Sequence, residues 1–141
     1  MNSHFYIQHS GMLADGLRNI GTQPGDYTPS HLDRTEGIAG AVLGEGLFNI
    51  SRKEKNFSLV YQGAEHKNPF VRRCSALALG LAYLGEGNDS ALELFRELSQ
   101  DEDIDVKRTA LISVGLATLG KSNPDVVDIV GANLENPYWK I

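Results

Sequence analysis

Two stretches of the chain repeat one pattern at a fixed spacing. Residues 71–88 read VRRCSALALGLAYLGEGN, and residues 106–123, at an offset of 35 residues, read VKRTALISVGLATLGKSN. A period of this length with a shared apolar core is typical of a helical-repeat solenoid, in which each unit buries its apolar face against its neighbours. The sequence therefore predicts an all-α fold of about three stacked helix pairs. The signature positions of the two copies are Gly80, Gly85, Gly87 and Asn88, then Gly115, Gly120 and Asn123.

Small and apolar residues fill the first helix of each unit. Residues 76–84 are small or apolar on every side, which predicts a helix that is buried all round. Small side chains let neighbouring helices approach closely, although each interior glycine costs about 1 kcal/mol relative to alanine. Gly85 and Gly87 are expected to end this helix through a left-handed residue, and Gly120 to do the same in the next copy.

A second, amphipathic helix is expected to follow in each unit. It begins at Asp89 or Ser90, where Ser90 and Glu93 have the spacing of a capping box. The residues predicted to face inward are Ala91, Leu92, Leu94, Phe95 and Leu98 in this copy, and Val126, Val127, Ile129 and Val130 in the next.

Polar residues mark where the first helix of each unit begins. Asn68 and Pro69 are suited to the N-cap and the first helical position, and Asp103 takes the equivalent place one unit later. Asn136 and Pro137 repeat the device near the end of the sequence, followed by Tyr138. The sequence thus predicts that another unit begins there.

The N-terminal part of the chain matches the repeat less closely. Residues 35–50 form a degenerate copy that places Gly46 on Gly80 at an offset of 34, whereas aligning the LGEG strings at Leu43 and Leu84 gives 41. Residues 51–55 are interpreted as a solvated, charged turn and residues 56–65 as the partner helix. We expect residues 1–34 to form an extension with a short helix at 11–20 and a loop at 21–34, and residues 35–141 to form the repeat domain.

Charge and composition exclude several classes of function. The net charge of −5 argues against a nucleic-acid partner, because phosphate binding requires clustered Lys and Arg. The apolar runs are shorter than the ~18 residues of a membrane-spanning helix. Cys74, the single cysteine, is interpreted as a small core residue in a reducing compartment, the cytosol or nucleus.

Features that resemble catalytic or ligand sites are better explained by helix structure. The LGEG strings follow a helix instead of joining a strand to one, so they are not typical of a phosphate-binding loop. The acidic residues 101–105 lack the central Gly and final Glu of a calcium loop and are interpreted as helix-capping charges. Basic residues recur at the helix starts and are expected to pair with an acidic turn or with the neighbouring unit. They are Arg72, Arg73, Lys107 and Arg108. We therefore expect no catalytic, cofactor or metal site.

The stretch 73–117 resembles the proteasome/cyclosome repeat, a HEAT-like unit of about 35 to 40 residues whose Ala/Gly-rich helix ends in a Gly-x-Gly-Asn turn. The resemblance departs at residues 120–122, Gly-Lys-Ser, and residues 1–34 match nothing in it. The matching residues are Ala78, Leu79, Gly80, Leu81, Ala82, Leu84, Gly85, Gly87 and Asn88, then Asp103, Asp105, Val106, Lys107, Arg108, Ala110, Leu111, Gly115 and Leu116.

This resemblance implies a non-enzymatic scaffold. It is closest to the larger non-ATPase scaffold of the 26S proteasome regulatory particle, which implies other regulatory-particle subunits as partners and a location in cytoplasm and nucleus. The alternatives are another HEAT-type adaptor, such as the large scaffold of the anaphase-promoting complex, or an enzyme-associated HEAT protein of the bilin-lyase type. We also expect the isolated chain to self-associate through uncovered repeat ends.

Overall fold

The computed structural model describes residues 10, 11, 14, 35–50 and 52–134. Within these residues the regular elements from residue 35 onward are six helices, and no strand occurs. The prediction of an all-helical fold is therefore confirmed for the described part. The predicted helix at 11–20 lies mostly outside it, and the loop at 21–34 and the cap at Asn136 lie wholly outside it. The helices are α1 Thr35–Phe48, α2 Ser58–Ala64, α3 Pro69–Ala82, α4 Asp89–Leu98, α5 Ile104–Ala117 and α6 Pro124–Leu134.

The helices alternate between two layers. Helix α3 packs against α1 on one side and α5 on the other, so these three Ala/Gly-rich helices form one row. Helix α2 packs on α1 and α3, α4 packs on α3 and α5, and α6 packs on α5 and α4. Each consecutive pair thus contributes one helix to the row and one helix beside it.

Glycines in the row allow the helix axes to approach closely. A Cβ atom at position 46 would lie 2.6 Å from the Cα of Ala78, and one at position 80 would lie 2.8 Å from the Cβ of Ser113. Side chains at these two positions are therefore excluded by the neighbouring helix. Around them a continuous apolar core forms, with fully buried members that include Val71, Leu79 and Phe95.

The same contacts decide the register of the N-terminal copy. Gly46 in α1 and Gly80 in α3 occupy the same place, since each meets a small residue of the next helix in the row. The alternative alignment would place Gly44 and Gly46 on the turn glycines Gly85 and Gly87, whose φ angles are +70° and +66°. Residues 44 and 46 are instead helical. The offset of 34 therefore describes the structure and the offset of 41 does not.

Asparagine and aspartate side chains cap the N-termini of four of the described helices. The predicted caps at Asn68 and Asp103 are confirmed, because each side-chain oxygen accepts a hydrogen bond from a first-turn amide. The bonds run from Phe70 N to Asn68 Oδ1 at 2.9 Å, from Asp105 N and Val106 N to Asp103 Oδ1 at 2.9 and 3.1 Å, from Ala91 N to Asn88 Oδ1 at 3.1 Å, and from Asp125 N to Asn123 Oδ1 at 2.9 Å.

The predicted capping box at Ser90 and Glu93 is wrong. Helix α4 begins one residue after Asn88, whose side chain caps it, and both Ser90 and Glu93 are exposed. Asn88 accepts from the amide of Ala91 and so occupies the N-cap position, whereas Ser90 lies inside the first turn, where it cannot act as the N-cap of a capping box. The predicted inward face of α4 is confirmed, since all five of its residues are buried.

Two other burial predictions need correction. Val127 is 70% exposed, because the buried side of α6 is defined by Ile129 and Asn133, four residues apart, and Val127 lies two residues from that stripe. Leu84 is 48% exposed, because α3 ends at Ala82 and Gly85 then turns the chain away.

We predict opposite effects on stability for two matched glycine substitutions. Gly46 and Gly115 each lie two residues before the end of a helix in the row, so alanine brings both up to about 1 kcal/mol of helix propensity. Gly46→Ala must also displace Ala78, at a cost of roughly 1–3 kcal/mol, whereas a Cβ at position 115 has no described atom within 4 Å. Urea unfolding should show a lower free energy of unfolding for Gly46→Ala and a higher one for Gly115→Ala than for the wild type. Equal effects of the two changes would contradict this packing.

Candidate docking surface

Large apolar side chains are exposed at the α5–α6 end of the described residues. Ile112 and Leu119 are 63% and 64% exposed, and Val127 and Leu134 are 70% and 69% exposed. Gly115 lies between the first two and is also exposed. We call these five residues the end face. Ile112 and Gly115 lie three residues apart on α5, and Val127 and Leu134 lie seven apart on α6, so each pair shares one side of its helix. Exposed apolar helix faces are a feature of protein–protein contact sites.

Most end-face residues have a buried counterpart one unit earlier. At the offset of 35 residues, Gly115 corresponds to Gly80, Val127 to Leu92 and Leu134 to Ser99. Gly80 is buried, and Leu92 and Ser99 are 3% and 1% exposed. The other two counterparts are not buried, since Ile112 corresponds to the half-buried Leu77 and Leu119 to the exposed Leu84. In the first copy α5 covers Gly80, and α5 and α6 both pack on α4, whereas the described residues contain no helix pair after the second copy.

The turns after successive row helices are joined by main-chain hydrogen bonds. The amide of Gly85 donates to the carbonyl oxygen of Leu116 at 3.0 Å, and the amide of Gly87 donates to that of Ala117 at 2.9 Å. The positive φ angles of both glycines orient these amides toward the end of α5. The amides that a phosphate would require are thus already used, so the LGEG turn holds the next helix in place.

Gly120 adopts the same left-handed conformation as Gly85, with φ of +75°. It is exposed, as is Ser122, the counterpart of Gly87. The predicted turn signature is therefore present in both copies, but only the first turn has a described helix beside it. Asn88 and Asn123, the last residues of the signature, both cap the helix that follows.

A buried lysine links the first turn to the corner between α1 and α2, which the sequence did not predict. The side chain of Lys55 is 5% exposed, and its Nζ lies 2.9 Å from a carboxylate oxygen of Glu86. The same Nζ donates to the carbonyl oxygens of Arg52 at 2.6 Å and Asn49 at 3.2 Å. The interpretation of residues 51–55 as a solvated turn is therefore wrong for Lys55, although Lys53 and Glu54 are exposed.

Glu45 also acts between helices. Its carboxylate, 4% exposed, accepts hydrogen bonds from the amides of Leu59 at 3.2 Å and Val60 at 2.7 Å, and so caps α2 from α1. Burial raises the pKa of Glu45 above its ordinary value, and the two amide bonds act in the opposite direction. This substitutes for a local cap, because Phe57 at the start of α2 provides none.

Arg72 joins two loops through a buried ion pair. Its Nε lies 2.7 Å and its Nη2 2.9 Å from the carboxylate oxygens of Asp101, and both side chains are 10% exposed. Its Nη1 donates to the carbonyl oxygens of His66 and Lys67 at 2.9 and 3.1 Å. The loop before α3 and the loop before α5 are thus tied to one guanidinium. Pairing with the acidic turn was predicted for this residue.

The other predicted basic and acidic residues also have structural roles. Arg108 Nη1 lies 3.3 Å from Asp105 Oδ1, one turn earlier on the same helix. Arg73 does not follow the prediction, because it forms no ion pair with an acidic residue within the described part of the chain, where its buried Nε also has no hydrogen-bond partner. Cys74 is buried as predicted, and burial raises the pKa of its thiol to about 12, which keeps it protonated at neutral pH.

The described residues contain neither a metal-binding cluster nor a membrane-spanning helix. No three His, Cys, Asp or Glu side chains among them converge on a point that could hold a metal ion. Nor does any helix of this part combine the length and apolar character needed to cross a membrane.

The ion pair of Asp101 predicts a dependence of stability on pH. Burial by itself raises the pKa of Asp101, but the hydrogen bonds from Arg72 and from the amide of Asp103 outweigh it, so the pKa lies below 3.8. A carboxylate whose pKa is lower in the folded than in the unfolded chain stabilises the fold at pH values above its unfolded pKa. This stabilisation is lost as the pH falls through the folded pKa. We expect Asp101→Asn to lower the free energy of unfolding by roughly 2 kcal/mol at neutral pH.

The difference in the free energy of unfolding between wild type and Asp101→Asn should become smaller as the pH falls below 3.8, because the wild-type carboxylate then becomes protonated. Urea unfolding across this range measures it. Glu102→Gln is the control, since Glu102 is 93% exposed and lies 3.9 Å from Arg72. A difference that is independent of pH would contradict the role assigned to Asp101.

No protein-family model matches this chain, and no curated protein or solved structure is significantly similar to it. The resemblance to proteasome/cyclosome repeats therefore rests on the residues of 73–117 themselves.

Proposed function

We propose that this chain is a section of a HEAT-like helical-repeat solenoid of the proteasome/cyclosome type and that it serves as a non-catalytic scaffold. One observation carries the proposal. Gly80 is closed by Ser113 of the next helix in the row, while no described atom lies within 4 Å of a Cβ at its counterpart Gly115. The same position is a contact in one copy and an open surface in the next. This is the behaviour of a unit that stacks on copies of itself.

The main-chain bonds between turns support the same proposal. Gly85 and Gly87 donate to carbonyls of α5, and these glycines belong to the repeated signature. A solenoid requires contacts that recur between neighbouring units, because each unit touches only its neighbours. The glycine contact meets this requirement, since it occurs between Gly46 and Ala78 and again between Gly80 and Ser113, and the turn contact adds a main-chain connection between α3 and α5.

The use of polar groups favours a scaffold over an enzyme. The buried or half-buried acidic residues Glu45, Asp101 and Asp103 each accept hydrogen bonds from main-chain amides at helix starts or turns. A catalytic acid or base needs access to a substrate as well as an altered pKa. In the described residues these carboxylates are committed to holding helices in position.

The partners we propose are other subunits of the 26S proteasome regulatory particle, with a location in cytoplasm and nucleus. The support is the residue-by-residue match to the repeat, which is best between residues 72 and 119. A scaffold of this kind organises protein–protein contacts for ubiquitin-dependent degradation.

Affinity purification of the tagged full-length protein from its own cells tests this assignment. Mass spectrometry should recover proteasomal ATPases together with the protein. Gly115→Trp should reduce that recovery, because the indole would fill the surface on which the next unit stacks. The matched control is Gln62→Trp, at an exposed position of α2. Purification without proteasomal ATPases would contradict the assignment, and recovery of anaphase-promoting-complex subunits would favour the alternative scaffold.

The end face also predicts how the purified 141-residue chain behaves in solution. We expect it to self-associate, and we expect Ile112→Lys with Val127→Lys to make it monomeric, since both side chains are more than 60% exposed and apolar. The control, Gln62→Lys with Gln100→Lys, adds the same charge at exposed polar positions. Light scattering at increasing concentration distinguishes the variants. A wild-type chain that stays monomeric at high concentration would count against an adhesive end face.

A further inference from the structure

A groove runs between the two outer helices α2 and α4. These helices both pack on α3 but are separated from each other by an open cavity of about 460 Å³. In the row, by contrast, glycine contacts leave no space between neighbouring helices. We call this cavity the outer groove. The lining residues used below are Tyr61 and Glu65 from the α2 side, and Glu93, Leu94, Glu97 and Leu98 from α4.

The floor of the outer groove is apolar. Leu94 and Leu98, which line it, are 9% and 5% exposed, so only one edge of each side chain reaches the cavity. Tyr61 stands at one side with 45% of its surface exposed, and its ring meets that of Phe57 edge to face, with centroids 6.5 Å apart. An apolar side chain of a partner could therefore be buried on Leu94 and Leu98 beside a ring that is held in place.

The rim of the outer groove is acidic and lacks cations of its own. Glu65, Glu93 and Glu97 are exposed, and none of them forms an ion pair within the described residues. The nearby Arg96 pairs instead with Asp125 at 3.6 Å, on the side of α4 that faces α6. Asp101 also lines the groove, but Arg72 already neutralises it.

The arrangement on α4 has a cost that nothing in the described chain offsets. Glu93 and Glu97 lie four residues apart on one helix face, and like charges at this spacing destabilise a helix by roughly 0.2–0.5 kcal/mol. A partner that brings positive charge to this face would remove the repulsion. Such a partner would also meet negative charge on both sides of the groove, from Glu65 on the α2 side and from Glu93 and Glu97 on α4.

We propose that the outer groove is a docking site for a basic amphipathic segment of a partner protein. The segment places an apolar side chain on Leu94 and Leu98, against Tyr61, and its Lys or Arg side chains pair with Glu65, Glu93 and Glu97. This deepens the scaffold function, on which it rests for its biological meaning, by giving the chemistry of one partner. The groove belongs to the described helices and does not involve the end face.

A labelled peptide tests the groove directly. The probe is a 16-residue helix-forming peptide of four Leu-Lys-Ala-Ala repeats, and its acidic counterpart has Glu in place of Lys. The protein is the 141-residue chain carrying Ile112→Lys and Val127→Lys, so that the peptide is not captured by the end face. Fluorescence anisotropy should show binding of the basic peptide, weakening with added salt, and no binding of the acidic peptide.

Charge reversal locates the site. Glu93→Lys with Glu97→Lys should weaken binding of the basic peptide by roughly tenfold or more and create binding of the acidic peptide. The control, Glu54→Lys with Asp128→Lys, makes the same change in net charge at exposed positions outside the groove and should leave both affinities within about twofold. Equal weakening by the two pairs of changes would show attraction to net charge alone and would overturn the proposal.

A third variant tests the apolar part of the site. Tyr61→Ser keeps every charge and should weaken binding several-fold, because the partner's apolar side chain loses its exposed neighbour. Unchanged binding by this variant, or displacement of the peptide by calcium, would contradict a peptide groove. Circular dichroism verifies that each variant is folded. These outcomes are independent of the proteasome assignment, since peptide binding is measured on the purified chain and co-purification of ATPases is not.

Discussion

The structure depends on how closely its row helices approach one another. Positions 46 and 80 leave no space for a side chain, because the next helix in the row occupies the place where a Cβ would be. This approach brings the turn after α3 within hydrogen-bond distance of the end of α5. Close packing of the row thus allows the main chain of one helix pair to form hydrogen bonds with the next. The outer helices take their positions by packing on the row helices.

Polar side chains extend the same connection around the row. Lys55 links the α1–α2 corner to Glu86, and Arg72 links the loop before α3 to Asp101 before α5. Each of these contacts crosses from one helix pair to its neighbour. The cations Lys55 and Arg72 are the buried members of these contacts, and each would remain in a desolvated place without its charge partner if Glu86 or Asp101 were replaced. These pairs therefore fix how the helix pairs are placed relative to one another.

The two layers differ in what they leave for a partner. In the row, α5 covers the side of α3 that carries Gly80, and the end-face residues of the last described pair are exposed. The end face is therefore suited to an apolar helix packed against it. The outer layer leaves a space between α2 and α4, with an apolar floor and an acidic rim. The two surfaces therefore differ in chemistry, since the end face is apolar and the outer groove combines apolar and acidic residues.

The sequence by itself determined the helices, their order and most of their inward faces. The reason is that caps such as Asn68 and Asp103, the glycine turns and the apolar spacing of α4 all act within a few residues of one another. It also indicated that Gly80 and Gly115 are equivalent, because both belong to the repeated signature.

Only the tertiary structure decided which of these glycines is covered, since that depends on a helix about 30 residues away in the chain. The same holds for Lys55, which pairs with Glu86 at a distance of 31 residues in the chain, and for Glu45, which accepts from the amide of Val60 15 residues later. The local sequence around neither residue indicates these partners. Burial of a charged side chain is set by what packs over it, and local sequence patterns carry no information about that contact.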